Sequence, residues 1–243
     1  MRLIIKFPTR NRPEKFKEVY TLYEQKLSGK HDVMFVITMD YDDPTMNNPE
    51  MISWLNSRNS NVRYHYGFSK TKIEAVNANL TNLDADVLMI ASDDMWPEMD
   101  NYDDVIYQKF QEHFPDYNGA IKFSDGFRSD DLMTLCIMGW SLYKKFGYVY
   151  CPEYVSVFAD TEQTFALHAL KRYVMVPEVL CSHKWKREYD DLHARNENGM
   201  VYAKDQATFD HRKQHNFYIN DIIMKELRLP NGSFALESVQ GTF

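Results

Sequence analysis

The chain has 243 residues, 44% of them hydrophobic, and a formal net charge of -7, which allows one sizeable α/β domain with an appendage and a well-buried core. The acidic balance, with no long basic run, excludes a protein that grips nucleic acid by neutralising its phosphates. Cys136, Cys151 and Cys181 are odd in number and lack CxxC spacing, which suggests neither a disulfide framework nor a zinc ribbon and fits a reducing, cytoplasmic setting.

Leu3 to Phe7 is a short apolar run closed by Pro8, and Phe16, Val19, Tyr20, Tyr23 and Leu27 then recur at helical spacing behind Pro13, so the chain opens strand, loop, helix. The run Leu3-Ile4-Ile5 is too short for a signal sequence, and no apolar stretch is long enough to span a bilayer. Asp32 to Met39 reads as a buried strand, Glu50 to Asn56 as a helix and Asn61 to Tyr66 as a third strand. Ile73, Val76, Leu80 and Leu83 place one apolar stripe on a helix, and Asp86 to Ala91 is the fourth strand. This alternation predicts a mainly parallel open sheet whose ligands bind beyond the carboxyl ends of its strands. After Asn118 the rhythm becomes mixed, with apolar runs at Ala120 to Phe123 and Leu132 to Met138 and a helix starting near Asp160. From Lys186 the chain is polar, and the spacing of Phe217, Ile219, Ile222, Ile223 and Leu227 predicts a tail helix over Lys204 to Leu227.

The strongest local signal is Ser92-Asp93-Asp94 directly after the fourth strand. Adjacent carboxylates at an apolar strand's end repel each other unless donors or a cation compensate, and a hard divalent ion bridging one of them to phosphate would do so. A solvated turn or a helix cap is the plainer reading. Asp40-Tyr41-Asp42-Asp43 closes the second strand and should open at the same sheet edge, although Asp before Pro and Thr is also ordinary turn chemistry. The first strand exits into Thr9-Arg10-Asn11-Arg12, whose donors could hold a base or phosphate. His211 and His215 stand at i, i+4 but lack a third ligand nearby, so no metal is assigned to them. Trp140, Tyr143, Phe146, Tyr148 and Tyr150 could stack on a sugar or simply fill the core, and Trp140 is the one to test.

The segments FPTRNRPEKF, the Asp40 cluster, SKTKIEAVNANL and IASDDM occur in the order seen in GT-A glycosyltransferases resembling family 2, over roughly residues 3 to 185. MGWSLYKKFGYV is similar to that family's acceptor-side segment, and ADTEQTFALHAL to the start of its "ED" helix, with Ala159 where an acid often precedes the catalytic Asp. The resemblance implies a GT-A-like, Rossmann-type open mixed sheet flanked by helices. It divides the chain into a catalytic domain at 1–185, with a nucleotide-sugar half at 1–117 and an acceptor half at 118–185, and a helical extension at 186–243 packed on it. It implies that Thr9 and Asp40 contact the uracil of a UDP-sugar, with Arg10, Arg12 and Asp42 in the same cofactor-binding set, and that Asp93 contacts the ribose. Lys72 would sit near the base or pyrophosphate, Asp94 would bind Mn2+ or Mg2+, and His183 would be a metal or pyrophosphate contact. Asp160 would be the base that deprotonates an acceptor hydroxyl for inverting displacement, with Trp140 and Glu162 on the acceptor side. The partners so implied are a nucleotide-sugar donor and a glycan or other hydroxyl acceptor. Two alternatives remain: a degenerate domain that only binds, which Ala159 keeps open, and a sugar-phosphate nucleotidyltransferase, which the absence of glycine from Phe7 to Phe16 disfavours.

Overall fold

The computed structural model describes residues 1–58, 61–126, 128–184 and 199–227, the last four of these by backbone only. The first half alternates as the apolar runs predict: β1 (Arg2–Pro8), α1 (Pro13–Gln25), β2 (Asp32–Asp40), α2 (Pro49–Asn56), β3 (Asn61–Gly67), α3 (Lys72–Asn77) and β4 (Val87–Ile90). Next come β5 (Met95–Pro97), α4 (Tyr102–His113), β6 (Ala120–Ser124), β7 (Ile137–Gly139) and α5 (Trp140–Phe146). The order closes with α6 (Ala159–Ala169), β8 (Tyr173–Val179), β9 (Cys181–His183), α7 (Met200–Gln214) and α8 (Ile219–Leu227).

Seven strands form one sheet in the order β3-β2-β1-β4-β7-β6-β8, and β5 and β9 form a separate two-stranded ribbon. β1 pairs parallel with both β2 and β4, whereas β7 runs antiparallel to β4 and β6, so the sheet is open and mixed. Successive strands step outward from β1 to β3, then the chain returns to the other side of β1 for β4. That reversal makes the carboxyl ends of β1 and β4 the switch point of the sheet, the place where open α/β sheets hold their ligands.

Alternation of side chains along each strand sends residues to two cores. Leu3, Ile5 and Phe7 of β1 face α1, α2 and α4, whose Phe16, Tyr20, Tyr23, Met51, Tyr102 and Phe110 fill one layer. Ile4 and Val36 face α3, α5, α6 and the tail, through Ile73, Val76, Trp140, Leu167, Phe209 and Ile222. Burying apolar surface on both faces at about 25 cal/mol per Å² is the main term holding this sheet. Lys6 shares the second face and is fully buried, its ammonium donating to Thr38 Oγ1.

Three elements differ from the sequence reading. α3 ends at Asn77 because Ala78 is extended and Asn79 and Asn82 take positive φ, although Leu80 still reaches the core. Of the run Leu132 to Met138, only its end joins a strand. The tail between Lys204 and Leu227 is two helices, since Asn216, Phe217 and Tyr218 have φ of 51°, 49° and 54°, a left-handed stretch no right-handed helix continues through. The parts of the extension at 186–198 and 228–243 lie outside the described residues. No described helix is long and apolar enough to cross a membrane, and all three cysteines are free and buried.

Candidate functional site

The loops leaving β1, β2, β3 and β4 meet over the carboxyl edge of the sheet. Arg10, on the β1–α1 loop, bridges Asp40 at 2.6 Å and Asp42 at 2.8 Å, and the second oxygen of Asp40 accepts the Ser69 N–H at 3.0 Å. These bonds tie the ends of β1, β2 and β3 together, and both carboxylates hold the Arg10 guanidinium firmly protonated, the Asp42 bond contributing most. Arg10, Asp42, Phe68, Ser69 and Lys70 line a hollow of about 430 Å³. Tyr41 and Phe68 are exposed beside it, stacked with centroids 5.3 Å apart. Thr9 is nearly buried and its Oγ1 has no hydrogen-bond partner among the described residues. Asp43, by contrast, is structural: it is fully buried and accepts from Asn11 N, Thr45 N and Thr45 Oγ1.

At the switch point, Arg12 of the β1 loop donates to Asp93 at 3.1 Å across the crevice. Burial raises the Asp93 pKa, opposed by the Arg12 and Lys15 charges. Asp94 sits just before β5, whose antiparallel pairing with β9 sets Met95 against His183. His183 Nε2 consequently lies 3.5 Å from Asp94 Oδ2, and Ser92 donates to Asp94 Oδ1. Burial opposes ionisation of Asp94, but His183, Ser92 and the Lys72 charge outweigh it and hold the carboxyl below its ordinary range. Two neighbouring acids are thus driven in opposite directions, and the Lys72 charge reaches this site from the first turn of α3.

The acceptor half is arranged differently from the expectation. Asp160 is half-buried in the first turn of α6, where its Oδ1 accepts the Thr161 N–H at 2.9 Å. The cap position belongs to Phe158, in the left-handed region and without a side-chain cap, so Asp160 is not the N-cap. Glu162 does not face an acceptor: it is buried, both oxygens are taken by Arg212 at 2.8 and 2.9 Å, and Tyr154 donates to it at 2.7 Å. Two residues apart on a helix, Asp160 and Glu162 project about 200° apart, and the tail claims the inward one. Trp140 is likewise in the core, packed on Tyr143 with centroids 4.6 Å apart, so it offers no face for a sugar. Gly139 ahead of it lies so close to the chain that a Cβ would stand 1.8 Å from the Tyr117 carbonyl oxygen.

No family model and no curated protein matches the sequence. Solved structures do match the fold. A mannosyltransferase, PcManGT from Pyrobaculum calidifontis in complex with GDP-Man and Mn2+, has a TM-score of 0.62 and 16% identity over 86% of this chain and 64% of that one. S. aureus TarS 1-349 in complex with UDP-GlcNAc has a TM-score of 0.59 and 14% identity over 77% of this chain and 59% of that one. The chain has a GT-A-type glycosyltransferase fold. At such identity the likeness is one of fold alone, and the chain spans less than two thirds of the length of either neighbour.

Within this GT-A fold, no cluster of three or more His, Cys, Asp or Glu side chains among the described residues could hold a metal ion by itself. Asp94 and His183 offer one carboxylate and one imidazole. That donor set fits a divalent cation that takes its remaining ligands from phosphate oxygens and water. Residues outside the sequence reading also meet here. Asp125 follows β6, is buried, accepts from Arg128 N at 2.7 Å and Thr134 Oγ1 at 2.8 Å, and its carbonyl receives the His183 N–H at 3.0 Å. It follows the run Ala120 to Phe123 as Asp93 follows β4, so the strand-end argument applied once more would have found it. Phe68 carried no comparable signal, and Ser69 and Lys70 appeared only as the opening of the segment SKTKIEAVNANL.

Proposed function

We propose that the chain is a glycosyltransferase that moves a sugar from a nucleotide diphosphate donor, a UDP-sugar in the first instance, to an acceptor hydroxyl with Mn2+ or Mg2+. The observation carrying this reading is the Asp93-Asp94 pair at the β1–β4 switch point, one acid bonded to Arg12 and the other beside His183 within the field of Lys72. A crevice with fixed cations and an ionised carboxylate suits a diphosphate and its counterion. The solved neighbours support it in that one is complexed with GDP-Man and Mn2+ and the other with UDP-GlcNAc.

In this reading Thr9 and Asp40 meet the base, with Arg10 and Asp42 beside them, and the unpartnered Thr9 hydroxyl gains a bond. Asp93 takes the ribose, and Arg12 and Lys72 face the diphosphate. Asp94 and His183 would hold the cation, which when bound supplies Lewis-acid stabilisation of the charge on the departing diphosphate. Asp160 accepts the proton of the attacking hydroxyl, so the oxygen enters opposite the leaving group and the anomeric centre inverts. Trp140 and Glu162 have no part in it. The acceptor is a glycan or another hydroxyl compound.

The test is release of free nucleotide and transfer of sugar from a panel of UDP- and GDP-sugars with Mn2+, using the wild type and Asp160→Asn. Loss of general-base help lowers turnover by roughly 10²–10⁴-fold, and donor affinity should stay within about twofold because Asp160 is not assigned to the donor. Metal-dependent donor binding with no turnover would favour a binding module instead. Failure of every nucleotide-sugar to bind would reject both readings.

A further inference from the structure

The tail helix α7 presents to the domain a face that is largely polar. Its buried residues are Asp205, Phe209 and Arg212, at i, i+4 and i+7, which is one stripe of the helix. Asp205 is fully buried and its carboxylate accepts three successive backbone N–H groups, Val155 at 2.9 Å, Ser156 at 2.8 Å and Val157 at 2.9 Å. Phe209 lies on Phe158 with centroids 5.4 Å apart. Arg212 grips Glu162 through two nitrogens and also reaches Glu153. Every buried group of this stripe therefore acts on the turn before α6 or on the first turn of α6 itself.

A tail that only covered apolar surface would use apolar side chains here. Buried ionic groups add little net stability, but they are costly to misplace, because a carboxylate out of register leaves its charge unpaired. Three N–H groups converging on one carboxylate make charge-assisted bonds with a strict geometry. They fix the backbone of 155–157, and the next residue, Phe158, holds φ at 64° and starts the helix. Asp160 follows two residues later.

We propose that α7 positions the acceptor side of the site, with Asp205 the positioning residue that fixes the 155–158 turn and thereby the place of Asp160. The catalytic half of this proposal rests on the assignment of Asp160 as the base.

The experiment uses the full chain carrying Asp205→Ala, Asp205→Asn, Asp160→Asn or the pair Asp205→Asn with Asp160→Asn. Amide hydrogen exchange over 155–162, which needs no activity, should rise at least tenfold in both Asp205 variants while β1 to β4 exchange as in the wild type. Transfer at saturating donor should fall at least tenfold in Asp205→Asn with donor affinity within about twofold, and the double variant should be no slower than Asp160→Asn alone. Unchanged exchange over 155–162, an undiminished transfer rate, or losses that multiply in the double variant would overturn the proposal. So would failure of both Asp205 variants to fold, which would make the contact a plain folding requirement. If Asp160→Asn transfers at the wild-type rate, the base assignment falls and the catalytic half with it, while the exchange result still decides whether Asp205 holds the turn.

Discussion

Asp94 is half-buried and Glu162 buried, each an acid near the start of a ribbon or helix, and their surroundings suit them to opposite roles. Asp94 accepts from Ser92 on one oxygen, has the His183 imidazole 3.5 Å from the other, and keeps 24% of its side chain exposed. Asp94→Ala should therefore remove metal-dependent binding of UDP while the melting temperature stays close to the wild type, measured by calorimetric titration with Mn2+ beside a melting curve. A large fall in melting temperature with binding retained would make it a structural turn residue. Glu162 is closed on both oxygens by Arg212. Glu162→Gln leaves the guanidinium with a neutral partner there and only the exposed Glu153 as counter-charge, and breaking a buried pair costs up to about 3–5 kcal/mol. For a chain of this length that is a fall in melting temperature on the order of 10 °C, and a variant melting within 2 °C of the wild type, a bound of about 1 kcal/mol, would count against the clamp. The sequence could not assign Glu162, because its partner is 50 residues away on a segment legible only as a tail. The place of Asp93 and Asp94 after a strand end was legible, since it depends only on the strand immediately before them.

At the scale of elements, β1 carries an anomaly in Lys6. Burial lowers its pKa from the ordinary 10.5 to about 7. Unfolded, this lysine keeps its proton up to about pH 10.4, so between pH 7 and that limit the unfolded chain binds more protons and stability rises with pH. The penalty is complete below pH 7, where both states are protonated, and amounts to at most about 5 kcal/mol at 1.36 kcal/mol per unit. Lys6→Met should raise the melting temperature at pH 6.5 and by less at pH 9.5. A lower melting temperature at pH 6.5 would mean that the bond to Thr38 outweighs the desolvation. The strands themselves were readable because each is a dense apolar run, and α1 because Phe16, Val19, Tyr20 and Tyr23 share one face. The break between α7 and α8 was not: His215-Asn216-Phe217-Tyr218 has no Gly or Pro, and of its residues Asn alone tolerates left-handed backbone readily. That geometry is set by Phe217 packing on Phe165 and Phe209, a tertiary choice.

Across the whole molecule, the two cores on either face of the sheet fix where β1 and β4 end, and the crevice follows from their order. The sequence carried this much, since strand ends and charges could be placed on one edge before any strand order was known. What it did not carry was pairing across the chain: the β5–β9 ribbon that brings His183 to Asp94, and the α7 clamp on the turn before Asp160. On the proposed function, this edge binds a nucleotide diphosphate sugar together with a divalent cation through Asp94. The most direct measurement is thermal melting of the wild type and Asp94→Ala with UDP- and GDP-sugars, each with and without Mn2+. A ligand at about 100 times its dissociation constant adds about 2.7 kcal/mol, or roughly 5 to 11 °C for a chain of this size. The wild type should show such a rise with at least one nucleotide-sugar only when Mn2+ is present, and Asp94→Ala should lose it. A rise of equal size without metal, or one that survives Asp94→Ala, would contradict it.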